Sequence, residues 1–323
     1  MYRKVLLIWL ILTVSLFKPL VSSTSVNGFV VTNYEYEVDG YKTGSFTIPF
    51  VWLILQDQLT ERFAFHVWYD FQFNNFIMGW LDIKLADYLC VNMGKMVAPS
   101  NQEWYTYPPD QMTPFFSEIS GFVDVIGKGF DYGVGFSGSY QFLTYNMVIF
   151  NGGANAGEDN DKKNFCGRLT ISPIKDLDLS VHTYQIYATA EEDERSLSGI
   201  DLLYTGFNFD IRAEYDFGKG GSLTTLGPNE ITPGDYNGYY FMLGYKIPVT
   251  EMLSIQPVFK YNVFDPDVPT YEKVSDIVFG ANFYCGKYFK LMLGYRKITD
   301  DSNTLYTDNE KKDLFILRAQ LSF

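Results

Sequence analysis

The sequence predicts an all-β chain, a transmembrane antiparallel β-barrel of about 16 strands. Three observations carry that expectation. Apolar and polar residues alternate with period two in segment after segment, and helical periodicity nowhere dominates. The apolar faces are unusually aromatic, with 28 Phe and 25 Tyr in the chain. Short and long connections take turns between the segments. Strands send successive side chains to opposite faces, so a wall between lipid and water is written as such alternation.

The first 23 residues stand apart. Arg3 and Lys4 precede an apolar run from Val5 to Phe17, followed by Lys18, Pro19, Ser22 and Ser23. A charged start, an apolar middle and a small-residue exit describe a secretory signal peptide, with cleavage expected between Val21 and Ser25. The run is shorter than the roughly 18 apolar residues of a spanning helix. Residues 24–323 are then the barrel domain, and no later segment has the length to span as a helix.

Sixteen candidate strands follow, near 28–38, 43–55, 61–73, 76–85, 88–97, 128–137, 141–150, 164–172, 177–189, 197–204, 207–217, 238–246, 252–263, 275–285, 288–298 and 313–323. In the eleventh, Phe207, Phe209, Ile211, Ala213, Tyr215 and Phe217 face one way, against Asn208, Asp210, Arg212, Glu214 and Asp216. In the last, Phe315, Leu317, Ala319, Leu321 and Phe323 oppose Arg318, Gln320 and Ser322. An even number of strands puts both chain ends on one side of the membrane, the periplasmic side in a bacterial barrel. Every second connection should then be a tight periplasmic turn, and Gln56–Thr60, Ala86–Asp87, Gly138–Tyr140, Pro173–Asp176, Thr205–Gly206, Ile247–Glu251 and Gly286–Lys287 are all short. Most alternate connections are long and rich in Gly, Pro and charge; Asn74–Asn75 is tight where an external loop belongs. Tyr239-Tyr240-Phe241 and Tyr284, near strand ends, fit aromatic girdles at the membrane interfaces.

Charge and cysteine content exclude some classes. Three of the 25 basic residues lie in the leader, so 22 oppose 38 acids in the remainder. That acidity disfavours nucleic acid as a partner and suits a surface holding divalent cations beside lipopolysaccharide and outer-membrane lipid. Cys90, Cys166 and Cys285 are an odd, widely spaced set and read as wall residues; His66 and His182 form no metal motif, and no cofactor is expected.

From Leu81 to Tyr187 the chain resembles the phosphate-selective porin O and P family. The matching residues are Val91-Asn92-Met93-Gly94-Lys95-Met96, Pro99, Glu103, Gly133-Val134, Gly138, Phe150-Asn151-Gly152, Arg168-Leu169 and Pro173. Gln256-Pro257-Val258-Phe259-Lys260-Tyr261 and the ending Leu317-Arg318-Ala319-Gln320-Leu321-Ser322-Phe323 agree in style. The resemblance implies a homotrimeric, sixteen-stranded porin of the bacterial outer membrane, a water-filled channel for passive diffusion of small hydrophilic solutes or ions. The phosphate selectivity in the family's name requires converging cations at a narrow point, and this chain departs from that arginine-rich pattern, with a phosphate-specific channel kept as an alternative. The inward faces hold nine basic residues, Arg62, Lys84, Arg168, Arg212, Lys246, Lys260, Lys290, Arg296 and Arg318, against eleven acids, among them Asp82, Asp210 and Glu214. Lys128 stands where the family often has arginine. The expectation is a nearly balanced lumen without strong phosphate selection.

Two further sites and two rival functions come from the residues. The segment Ala98–Gly127, with Trp104, Tyr105, Tyr107, Phe115, Phe116 and Phe122, is too apolar for a solvated loop and is expected to fold inward as a constriction. Phe323 ends the last strand on its lipid-facing side and is the candidate signal for barrel-assembly machinery. Asp178, Ser180 and His182 share a face and suggest a hydrolase, but alternate side chains of one strand stand roughly 7 Å apart, too far for a triad. Trp68, Trp80 and Tyr184 raise the alternative of a stacking track for sugars.

Overall fold

The computed structural model describes residues 24–38, 43–121, 129–152, 162–187, 194–219, 222–223, 231–232, 235–265, 273–300 and 313–323. The leader, Phe122 and Lys128 lie outside them. The chain forms β1 (Ser25–Glu37), β2 (Gly44–Gln58), β3 (Phe63–Asp70), β4 (Asn75–Ala86), β5 (Leu89–Val97), the short helix α1 (Gln102–Tyr105), a 3-10 turn (Pro108–Asp110), β6 (Phe130–Tyr140), β7 (Leu143–Phe150), β8 (Asn164–Ile174), β9 (Leu177–Tyr187), β10 (Glu194–Tyr204) and β11 (Phe209–Lys219). There follow β12 (Ser222–Leu223), β13 (Ile231–Thr232), β14 (Asp235–Tyr245), β15 (Ile247–Pro248), β16 (Leu253–Asp265), β17 (Val274–Cys285), β18 (Phe289–Asp300) and β19 (Leu314–Ser322). The β12–β13 pair is a separate two-stranded ladder, and β15 continues the line of β14 along β16. The rest form one closed antiparallel barrel of 16 strands.

Closure joins the two ends of the wall. β1 pairs with β2 on one side and β19 on the other, with Val30 opposite Leu321. Gly28 N donates to Phe323 O and Phe323 N to Gly28 O, both at 3.0 Å. A barrel leaves no unpaired edge, which lipid would leave without hydrogen-bond partners.

All sixteen expected segments are strands, and their ends differ where local turn chemistry takes over. The third begins at Phe63 rather than 61 because the Thr60 hydroxyl accepts from the amides of Arg62 and Phe63, both at 3.1 Å. Arg62 is therefore an exposed turn residue, not a strand residue. The eleventh begins at Phe209 because Phe207 and Asn208 take φ of 51° and 66°, a two-residue turn of the type that follows the strand twist. The Phe207 ring, expected on the strand, is instead 89% exposed at the turn. The tight β3–β4 connection is real: Gln72 N donates to Asp70 Oδ1 at 2.7 Å and Asn74 takes φ 52°.

The outer face is apolar around the wall. Leu169, Val181, Ile200 and Tyr215 lie side by side on four consecutive strands, all exposed. Water would penalise so continuous an apolar belt, and lipid does not. Phe63, Tyr88, Tyr140, Phe142, Tyr245 and Tyr288 ring the end of the barrel that carries the tight turns. Their amphipathic or aromatic side chains suit a membrane–water interface.

Candidate functional site

The chain between β5 and β6 does not stay outside. Its base is closed by Ala98 N donating to Gly129 O at 2.9 Å, and from there residues 99–121 run along the inside of the wall. Asn101 caps α1 by accepting from Trp104 N at 3.1 Å, which fixes the direction of entry. Tyr107, in the extended stretch before the 3-10 turn, reaches the opposite wall. Its ring packs edge-on at 5.6 Å from Phe29 and 5.5 Å from Trp68.

One flank of this inner loop is bonded to strand after strand. Arg168 Nη1 on β8 donates to Ser100 O at 2.8 Å. Gln102 Nε2 donates to Asp201 Oδ1 on β10 at 3.2 Å, and Gln102 N to Glu214 Oε1 on β11 at 2.9 Å. Tyr240 on β14 donates its hydroxyl to Gln102 Oε1 at 3.1 Å. Lys260 on β16 reaches Glu103 Oε1 at 2.7 Å and Phe115 O at 3.0 Å, with both charged side chains fully buried. Glu103 Oε2 accepts from Ser117 N at 2.7 Å, so the carboxylate is shared between wall and loop. Asn282, Lys290 and Gln320, on β17, β18 and β19, donate to the carbonyls of Met112, Gln111 and Pro109. A buried charge is tolerated only when paired and hydrogen-bonded, and these are.

The structure disposes the remaining candidates along the lumen as follows. Arg212 grips Asp210 through two bonds, Nε–Oδ1 at 2.9 Å and Nη2–Oδ2 at 3.0 Å. Arg296 lies over the Phe115 ring and 3.7 Å from Glu118 Oε1. Arg318 Nε donates to Asn33 Oδ1 at 2.9 Å. Lys84 pairs with Asp87 at 2.9 Å at the turn end, near Arg62, and holds the exposed Asp87 carboxyl below its usual range. Phe115 faces the wall against Val278 and Ile316, whereas Trp104, Tyr105 and Phe116 face the lumen.

The other flank of the loop touches the wall at fewer points, Asn146 Nδ2 on β7 donating to the Tyr105 hydroxyl at 2.8 Å and Tyr107 packing on Trp68. Between it and strands β2–β7 lies a cavity of about 520 Å3 lined by Phe50, Trp52, Trp68, Trp80, Trp104 and Tyr105 together with His66, Asp82 and Asn92. His66 stacks on Trp80 at 4.4 Å and bonds Asp82 at 2.9 Å, and Asn92 Nδ2 donates to the other Asp82 oxygen at 2.6 Å. Sequence reasoning did not single out Trp52 and gave Asn92 no site role beyond the family motif, although their period-two spacing with Ile54 and Cys90 places them on inner faces. Tyr184 is 0% exposed behind the loop, so it cannot belong to a track with Trp68 and Trp80.

The suggestive run on β9 is dispersed. Ser180 Oγ bonds Thr170 Oγ1 at 2.9 Å, Asp178 accepts from Ser172, and His182 faces Asp201 and Asp216. No serine hydroxyl touches a histidine in that run, so it lacks a nucleophile–base pair.

No known protein family and no curated protein matches the sequence. Solved structures do match. OmpF of Salmonella typhi superposes with a TM-score of 0.71 at 11% identity, over 93% of this chain and 97% of that one. An anion-selective porin from Comamonas acidovorans gives 0.67 at 15% identity, over 93% and 99%. The trimer form of OmpT from Vibrio cholerae gives 0.66 at 11%, over 93% and 99%. At such identities the likeness is one of fold, and the fold of this chain is that of the sixteen-stranded porins.

Proposed function

We propose that the chain is an outer-membrane channel of a bacterium with two membranes, passing small hydrophilic solutes with weak charge preference. One observation carries this reading: a closed barrel with a lipid-compatible exterior holds a bonded loop across its lumen, and among the described residues the β2–β7 side is left open. Trp104, Tyr105 and Phe116 form the loop's share of a constriction, and Asp82 is the charged group opposite. Lys84 and Arg62 line the mouth at the turn end. Arg168, Arg212, Lys260, Lys290, Arg296 and Arg318 line the wall; Arg168, Arg212, Lys260 and Lys290 are committed to carboxylates or carbonyls, whereas Arg296 keeps a buried Nε without a partner. A phosphate dianion needs free converging donors, so phosphate selectivity of the O and P type is not part of this reading.

The chain is read as exported by its first 23 residues, inserted with Phe323 as assembly signal, and trimeric, as OmpT of Vibrio cholerae is described. Deleting Phe323 should lower the yield of heat-modifiable folded barrel while export continues; equal yields would remove that role. Single-channel recording in a salt gradient tests the channel itself. A reversal potential near zero is the expected result, and micromolar block by phosphate would overturn it.

A second reading has its own support. Trp52 and Trp68 lie 5.9 Å apart on the open side, and Trp80 is presented on the next strand. Aromatic faces of this kind stack on the apolar faces of sugars, so sugar-dependent block of conductance would favour a solute-specific channel.

A further inference from the structure

Behind the inner loop, three strands bring together four titratable groups. His182 on β9 and Asp216 on β11 are both in register with Gly199 of β10, which lies between them. A Cβ at Gly199 would stand 1.9 Å from Asp216 Oδ1 and 2.7 Å from His182 Nε2. Only a glycine leaves room for the imidazole and the carboxylate to meet over the strand, and they do, at 2.9 Å. One register step away, Asp201 of β10 lies opposite Glu214 of β11. The side chains of His182, Asp201 and Glu214 are at most 1% exposed.

Asp216 has both oxygens held, by His182 and by Asn101 Nδ2 at 3.3 Å, and each of the other three groups has one heteroatom held and one left over. His182 Nε2 donates to Asp216, Asp201 Oδ1 accepts from Arg168 at 2.6 Å, and Glu214 Oε1 accepts from Gln102 N at 2.9 Å. The remaining three atoms, His182 Nδ1, Asp201 Oδ2 and Glu214 Oε2, are buried without a hydrogen-bond partner. They are three of the eight such atoms among the described residues, and they belong to the three residues whose donor atoms lie within 4.8 Å of one another. With its Nε2–H given to Asp216, a neutral imidazole presents a lone pair at Nδ1. Buried lone-pair acceptors on residues this close repel one another unless a proton or a metal cation lies among them.

We propose that His182, Asp201 and Glu214 bind one divalent transition-series cation, zinc in the first instance, that ties the inner loop to the wall. Nδ1 and Oδ2 stand 3.4 Å apart, the separation of two ligands about 2.05 Å from a tetrahedral centre. Imidazole nitrogen favours zinc and its neighbours over calcium or magnesium, which take oxygen. Asp216, Arg168 and Gln102 orient the ligands from outside, as carboxylates and amides do around histidine-bound metals. Three carboxylates against one guanidinium leave two negative charges, which one divalent cation neutralises. The ligands come from residues 182, 201 and 214, so the ion joins β9, β10 and β11, and through Gln102 the loop. Burial makes it a structural ion, acquired as the barrel folds.

The test is to unfold the full chain in urea with chelator, refold it into detergent with zinc, cobalt, calcium or magnesium, and measure retained metal after gel filtration. About one zinc per chain is expected, with calcium and magnesium washed away. X-ray absorption should show a single imidazole among nitrogen and oxygen ligands, and cobalt should give the visible band of a four- or five-coordinate site. Glu214→Gln and His182→Gln, checked for heat-modifiable folding, should weaken retention by ~100-fold, and His66→Gln should leave it intact. Should both ligand variants fail to fold, the absorption and cobalt spectra of the parent decide alone. A folded parent that keeps no zinc overturns the site and leaves a doubly protonated His182 as its filler. So does one whose metal shows no imidazole, or is retained equally in folded ligand variants.

Discussion

The two sides of the lumen are built from the same alternating strands and behave oppositely. Along β8–β19 the inward side chains include the charged groups Arg168, Asp201, Arg212, Glu214, Lys260 and Lys290, and each of these six bonds the loop: Lys260 is 0% exposed with its ammonium on Glu103, and Lys290 is spent on loop carbonyls. Along β2–β7 the rings of Phe50, Trp52, Trp68 and Trp80 face inward among smaller and polar side chains, and the loop leaves them a cavity. Polar groups thus fill one side and apolar rings line the open one, the reverse of what a water-filled passage suggests. The reason is geometric. A loop backbone brought inside a barrel carries unsatisfied carbonyls and amides, and it settles where the wall supplies donors and acceptors for them. A count of lumen charges therefore measures how the loop is fastened, not what the channel selects.

The largest effect should come from removing the fastened object. Deleting the central part of 98–121 should raise single-channel conductance severalfold; unchanged conductance in a folded variant would mean that the passage is limited elsewhere. Next, the two sides should differ in what a charge is worth. Lys260→Met strands the buried Glu103 and should cost about 3–5 kcal/mol in urea unfolding. Asp82→Asn, on the partly exposed side, should cost no more than about 1 kcal/mol. Equal costs would erase the distinction. A smaller effect is expected from Trp80→Ala: a sugar that blocks the channel should lose about 1 kcal/mol, roughly fivefold in affinity, while Tyr184→Phe changes nothing in block. Smallest of all, millimolar phosphate should leave chloride conductance almost unaltered, because Arg168 and Arg212 are already bonded to carboxylates.

The strands were legible because alternation and turn residues are local signals, and both were strong here. The inward course of residues 99–121 agrees with the expectation drawn from Trp104, Tyr105, Tyr107, Phe115 and Phe116, while Phe122 lies outside the described residues. The loop's docking side was not legible. Glu103 and Lys260 are 157 residues apart, and only the register of β16 against its neighbours decides that they meet. Phe115 and Phe116 are adjacent and look alike, yet one is pressed on Val278 and the other faces the cavity. The His182 cluster escaped for the same reason: its members sit one on each of three strands, so no spacing within a strand announces them. Arg62 and Phe207 were misplaced by a residue or two because a threonine hydroxyl and a pair of positive φ angles set those turns.

The seam between β1 and β19 has a consequence for biogenesis. Its partners are the first and last strands of the chain, so the pairing that completes the wall is also the least local one in the molecule. Until β19 has been delivered, the sheet has two raw edges, each a ladder of unpaired amides and carbonyls able to recruit another copy. The nascent protein is then most prone to aggregate late, when nearly everything is in place. A chain stopped before Leu314 does not become a slightly smaller barrel; it has an open sheet, and loss of the last strand costs the whole enclosure.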